Sequence, residues 1–235
     1  MTRLPILLAA LLWLSPLTAH ALEPFLAHYE VYRGDRRMGE ATLQLLQTGP
    51  NRWRVDLSVS GSGVAALTGI HAEQSTVFDV VGAQYRPVSQ STVRKLLFSR
   101  RQTVGVYDWK RRVARWTGDV KDTRRGPIAL QDGDMSGLLI NLAVIRDAQP
   151  GATLHYRFVD DGRARDHQYV VATEPESMTA GDLGFSALRV SRVRGGNEDM
   201  AIWVAQGVPT PIRILQRENG EDSYDLRLIE YKGAP

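Results

Sequence analysis

The stretch RWRVDLSVS at residues 52–60 sends Trp53, Val55, Leu57 and Val59 to one side of an extended chain and Arg52, Arg54, Asp56 and Ser58 to the other. Alternation of this kind marks a strand with one buried face and one wet face. Similar runs occupy 27–33, 40–46, 75–81, 102–108, 152–159, 166–173, 187–193 and 199–206. Between them fall the turn signals Gly34-Asp35, Gly49-Pro50-Asn51, Asp160-Asp161-Gly162 and Gly195-Gly196-Asn197. Near the C-terminus, PIRILQRENGEDSYDLRLIEY carries Asn219-Gly220 between two alternating runs, and this pair tolerates the positive φ of a tight primed turn. Ile212 and Ile214 are therefore expected to face the core with Tyr224, Leu226 and Leu228. Eleven or twelve strands joined mostly by short turns predict an all-β fold, an antiparallel meander curled into a barrel or half-barrel. Alternation alone does not separate closure from stacking, so a two-sheet β-sandwich is the alternative.

One segment breaks the pattern. In DGDMSGLLINLAVIRD, residues 132–147, Leu138, Leu139, Leu142 and Ile145 recur at helical spacing; Asp134 or Ser136 can cap the helix and Asp147-Ala148-Gln149-Pro150-Gly151 ends it. Ile140, Ala143 and Val144 make the other side apolar too, which leaves Asn141 as the only polar side chain from Gly137 to Ile145. A helix of this kind is covered nearly all round, and the concave face of a curled sheet is the expected cover. Two readings follow. Either the helix plugs the sheet and Asn141 satisfies a loop backbone group, or helix and sheet enclose an apolar cavity in which Asn141, with Leu138, Leu142 and Trp203, contacts a ligand.

The chain opens with Arg3, an apolar core from Leu4 to Leu14 and the small-residue signature Ala19-His20-Ala21, which reads as a secretory signal peptide over residues 1–21. Cleavage after Ala21 leaves residues 22–235 as a single β-rich domain, expected in a bacterial periplasm. No later apolar run is long enough to cross a membrane as a helix. Charged strand faces, Arg52-Arg54-Asp56 and Asp225-Arg227, argue against an integral outer-membrane barrel. The absence of cysteine excludes disulfides, thiolate metal sites and a lipid-bearing cysteine.

Charge is unevenly spread. Between Arg94 and Arg125 stand eleven Lys or Arg and three Asp, a local +8, while the rest of the mature chain has 17 basic and 23 acidic residues, or −6. One face or end is therefore expected to be basic. Phe98, Tyr107, Trp109 and Trp116 are interspersed, as in proteins that bind anionic chains. An exported protein meets anionic lipid head groups and envelope phosphates rather than nucleic acid, so Arg111, Arg112 and Arg115 are the expected contacts with an anionic envelope surface. A hairpin with a basic solvent face is the plainer alternative.

Catalytic patterns are weak. Ser60-Gly61-Ser62-Gly63 lacks the spacing of a nucleophile elbow and reads as a flexible connector into the apolar segment 64–70. His28, His71, His155 and His167 show no metal-ligand spacing. Asp132-x-Asp134-x-Ser136 begins like a calcium loop, but Ala143 stands where a bidentate glutamate is required. The acidic turn at 218–222 is a solvated hairpin tip before it is a cation site. No catalytic residue, metal site or cofactor is assigned.

Several short features, AHYEVYRGDRRMGEA, EQS at 73–75, YRP at 85–87, DGDMSGLL and IWVAQGVPTPIRI, together resemble the bacterial secreted proteins grouped as domain of unknown function 3108. Positions matching that pattern are Tyr29, Gly39, Ser75, Pro87, Asp134, Ser136, Trp203 and Pro209. The resemblance implies an envelope-located β-rich fold and carries no catalytic residues. The expected function is a non-enzymatic periplasmic binding or carrier module for a lipid or other amphiphile. An envelope assembly factor acting through sheet edges or loops, and a hydrolase of envelope material with unidentified residues, are the alternatives.

Overall fold

The computed structural model describes residues 22–63, 71–96, 99–193 and 198–233, so the expected signal peptide, the apolar segment 64–70 and the Gly195-Gly196-Asn197 turn lie outside the described residues. The first half is a meander of β1 (Phe25–Arg33), β2 (Arg36–Gln47), β3 (Arg52–Gly61), β4 (His71–Val81), β5 (Gln84–Leu96), β6 (Ser99–Asp108), β7 (Val113–Gly118) and β8 (Ile128–Ala129). After β9 (Asp134–Met135) comes the helix α1 (Gly137–Asp147). The second half is β10 (Thr153–Asp160), β11 (Arg163–Val171), β12 (Glu176–Ala180), β13 (Leu183–Arg192), β14 (Glu198–Ala205), β15 (Arg213–Glu218) and β16 (Glu221–Gly233).

All sixteen strands belong to one sheet, in the order β8 to β1, then β16, β15, β14, β13, β11, β10 and β9, with β12 beside β13. Pairing is antiparallel throughout except for the short contact of β9 with β10. This is the expected curled meander in its half-barrel form, not the sandwich: no ladder joins β8 to β9 among the described residues. The β15–β16 turn is the expected primed turn, with φ of 54° at Asn219 and 84° at Gly220. Ile212, Ile214, Leu226 and Leu228 are each no more than 3 % exposed, while Tyr224 is half-buried.

Side chains, not backbone, close the roll. Along β10, Tyr156 and Phe158 face the helix side and Val159 points the other way. Val159 and its neighbour Ala164 pack with Tyr107, Ala114 and Trp116, which belong to the concave face of β6 and β7. One end of the sheet thus laps over the back of the other. The Tyr107 hydroxyl lies 2.5 Å from Gln90 Oε1 and 2.7 Å from the Val159 carbonyl, so its single proton is donated to one of two acceptors, and Gln90 Nε2 donates to Asp160 across the same seam. The Asp134 carboxylate, fully buried, meets Arg157 Nη1 at 2.7 Å.

Strand β5 was hidden by Pro87 and its serines. Pro87 pairs only with β4, because β6 joins β5 from Ser89 onward, and a register shift between Val77 and Phe78 places Val88 as an extra residue. The missing N–H therefore falls where β5 is an edge, at a bulge, which is where a sheet tolerates proline. Trp109, at the β6–β7 turn, donates its indole N–H to the Pro87 carbonyl at 2.7 Å. Short strands β7, β8, β9 and β12 account for the rest of the excess over the eleven or twelve expected.

The helix lies in the curl, against β3, β4 and β5 on one side and β10 and β14 on the other. Ser136 caps it, accepting the Leu139 N–H at 3.5 Å and sharing a hydrogen bond with Thr76 at 2.9 Å. Leu138, Leu139, Ile140, Leu142 and Val144 are at most 4 % exposed. Each such burial contributes about 1.5–3 kcal/mol relative to solvent exposure.

Candidate binding site

The helix runs from Thr76, midway along β4, toward the β4–β5 turn, where Arg146 Nη1 donates to the Ala83 carbonyl at 2.7 Å. It therefore fills only one half of the concave face. Burial falls away along β3, β4, β5 and β6 past the helix N-terminus. On β3, Trp53 and Val55 are buried but Leu57 and Val59 are half-exposed; on β4, Phe78 and Thr76 give way to half-exposed Gln74 and Ala72. On β5, Tyr85 and Gln90 are buried, Thr92 is intermediate and Arg94 is exposed; on β6, Tyr107 and Gly105 are followed by Thr103 and then exposed Arg101.

Register makes this open region a chemical gradient. Ala41, Val59, Ala72, Arg94 and Arg101 are successive cross-strand partners from β2 to β6, on the face that carries Val55 and Phe78. One row thus passes from methyl groups to two guanidinium ions. From Val59 to Arg101 it crosses three strand spacings, about 14 Å. On the opposite face of the same hairpin Lys95 and Arg100 face each other, beside the His71 to Glu73 pair at 2.7 Å. The hydrogen bond from His71 holds the Glu73 carboxyl below its ordinary value.

The residues expected to form a site are dispersed. Leu138 and Leu142 lie in the core cluster, while Asn141 is half-buried on a stripe with Gly137 and Ile145 and has no hydrogen-bond partner among the described residues. Trp203 sits on the convex face, in register with Arg213, whereas its neighbour Ile202 pairs inward with Ile214. The indole donates to Glu176 Oε2 at 2.8 Å under Arg213, which in turn binds buried Asp225 at 2.7 Å. Trp203, though buried in the same core cluster, therefore lies on the sheet face away from the helix residues.

The basic window is not one patch. Arg111 and Arg112 occupy the β6–β7 turn at the helix-filled end, within 3.5 Å of Asp108 and 3.4 Å of Asp132 respectively, and Arg115 projects from the convex face of β7. Arg94, Lys95, Arg100 and Arg101 occupy the far end of the hairpin. A chain that doubles back between them separates the two groups. Proline and serine masked β5, so nothing in the linear charge count distinguished inward from outward arginines; the β5 register does.

Other candidates resolve as structure. His155 and His167 point to opposite faces of the β10–β11 pair, and the His167 ring stacks near Phe158 at 4.9 Å. Asp132 is exposed near Arg86 and Arg112, so the loop before the helix holds no ring of carboxylates. The acidic β15–β16 turn borders an open notch of about 350 Å³, and its Asp222 is already paired with Arg217 at 2.8 Å. Burial pushes the Asp160 carboxyl above its ordinary range despite the Gln90 hydrogen bond.

The sequence matches the model of a family described as protein of unknown function, DUF3108, over residues 28–227. Its fold is similar to the crystal structure of a beta-barrel-like protein of domain of unknown function DUF1849 from Brucella abortus, with a TM-score of 0.54 and 8 % identity over 91 % of this chain and 99 % of that one. No curated protein matches.

Proposed function

Because the chain belongs to the DUF3108 family, whose description assigns no activity, we propose from its geometry that it is a non-enzymatic periplasmic binding or carrier module for a lipid or other amphiphile of the cell envelope. The observation that carries this reading is the row from Val59 and Ala72 to Arg94 and Arg101 on the open half of the concave face. An apolar tail laid along β3 and β4 places a polar head at β5 and β6, as a concave site with few oriented polar groups requires. The buried polar groups nearest the helix already fasten one another, Thr76 to Ser136 and Asp134 to Arg157, which favours binding over catalysis.

The test is native mass spectrometry with lipid extraction on the chain purified gently from the periplasm of a producing bacterium. A defined amphiphile that co-purifies, and is lost in Val59→Arg with the melting temperature retained, is the expected result; the same spectrum reads the N-terminus, expected at Leu22. A clean apo mass that also takes up nothing from added envelope lipid overturns the carrier reading. Specific crosslinks through the edge of β12 that has no strand partner among the described residues, beside the 63 % exposed Leu183, would then favour the assembly-factor alternative.

A further inference from the structure

We infer that Arg94 and Arg101 form a clamp for a phosphate group, and that the amphiphile proposed above carries a phosphorylated head. This rests on the amphiphile reading and adds the chemistry of the head. The two arginines are direct cross-strand partners on the concave face. Directly opposed residues have Cβ atoms about 4.5–5.5 Å apart, and like charges so placed repel. An anion between them converts that repulsion into attraction.

No carboxylate among the described residues supplies that anion. Most of its arginines have a carboxylate within reach, as Arg52 has Asp79 at 2.8 Å, Arg157 has Asp134 at 2.7 Å and Arg213 has Asp225 at 2.7 Å. Among the described residues neither Arg94 nor Arg101 has one. The acid near this hairpin, Glu73, pairs with His71 on the opposite face and is the neighbour of Lys95 and Arg100 instead. Both concave arginines are exposed at the end of a row whose other members are small or apolar. A phosphate offers oxygens to two planar guanidinium forks at once, and such charge-assisted bonds are the strong ones.

Isothermal titration calorimetry with three soluble probes tests the clamp: dihexanoyl phosphatidic acid, octyl glucoside and inorganic phosphate, each below any micelle-forming concentration. Phosphatidic acid is expected to bind at least tenfold more tightly than the neutral glucoside. The double variant Arg94→Gln/Arg101→Gln is expected to lose that tenfold advantage while octyl glucoside binding and the melting temperature stay unchanged. Arg111→Gln/Arg112→Gln, at the opposite end, is expected to bind all three as the native chain does. If the double variant holds phosphatidic acid as tightly as the native chain, the clamp is overturned, while the amphiphile reading stands if octyl glucoside still binds. Inorganic phosphate binding as tightly as phosphatidic acid supports the clamp but makes free phosphate its ligand, overturning the amphiphile. No binding of any probe overturns both.

Discussion

Replacing Asp134 by alanine removes a fully buried carboxylate whose two oxygens lie 2.7 Å from Arg157 Nη1 and one of which accepts the Gln131 N–H at 2.9 Å. Breaking a buried pair by deleting one partner costs about 3–5 kcal/mol, because the other charge stays in place without its counterion. Arg157 keeps a path to water, its side chain being 22 % exposed, and lies 3.4 Å from the Ala129 carbonyl. The lower end of that range, about 3 kcal/mol, is therefore expected, including a share for the orphaned Gln131 N–H. With a urea m-value of about 3 kcal/mol/M, suited to a chain of this size, the unfolding midpoint should fall by about 1 M. Tryptophan fluorescence follows the transition. Arg157→Met in the Asp134→Ala background should recover part of the loss, since the two residues form one unit. A midpoint shift below about 0.3 M, or effects that simply add, would show that the pair does not hold β9 to β10.

Asp160→Asn tests the seam through pH. Burial raises the Asp160 carboxyl, so the folded state favours its neutral form; that stability is full below the ordinary carboxylate range and is lost as pH rises through the raised value. The substitution should stabilise the fold at about pH 7 and do little at about pH 3 in paired urea titrations, and equal effects at both would contradict the assignment. Gly39→Ala would put a Cβ 2.0 Å from the Ser60 carbonyl oxygen, so a loss of about 1–3 kcal/mol is expected in thermal melts, and an unchanged melt would refute the close approach. Asn141→Leu should alter stability by less than about 1 kcal/mol and leave amphiphile retention intact, because the side chain is half-buried without a described partner. Loss of retention in that variant would make the helix the ligand gate after all.

Strands were legible where one face is uniformly apolar, as in β3, and the final hairpin was legible because Asn219 and Gly220 have one obvious use. The helix was legible too, with its cap narrowed to Asp134 or Ser136, of which Ser136 takes the position. Strand β5 was not, because proline and serine erase alternation and only the bulge opposite Phe78 reconciles them with a ladder. The seam could not be read at all: Gln90 meets Asp160 and Tyr107 meets Val159 through curvature, which no local pattern encodes. Trp203 and Ile202 are both apolar neighbours on one strand, and only the register with β15 shows that Ile202 takes the inward position. Arg94 and Arg101 are indistinguishable from the other basic residues in the charge count, and only the β5–β6 register sets them on the concave face.

The positions that match the family pattern do structural work. The Tyr29 hydroxyl, its ionisation suppressed by burial, shares a hydrogen bond with Thr210 at 2.5 Å and reaches the Pro211 carbonyl at 2.8 Å, anchoring the loop that contains Pro209. Ser75 donates to Asp56 at 2.5 Å, Pro87 receives the Trp109 indole, and Asp134, Ser136 and Trp203 each hold a partner from another strand or loop. A motif built of such fasteners describes a scaffold.

The pairing of β1 with β16 sets the order in which this molecule can be made. Phe25 lies opposite Gly233 and Tyr32 opposite Asp225, so the first strand and the last are neighbours in the middle of the sheet rather than at its borders. A chain emerging from its N-terminus has β1 paired on one side only until the final segment arrives, and the Tyr29 anchor waits for Thr210. Contacts of such long sequence separation fold slowly. The central ladder thus acts as a clasp that only a complete polypeptide fastens, and a chain truncated before β16 leaves β1 exposed as a sticky edge for proteolysis or aggregation.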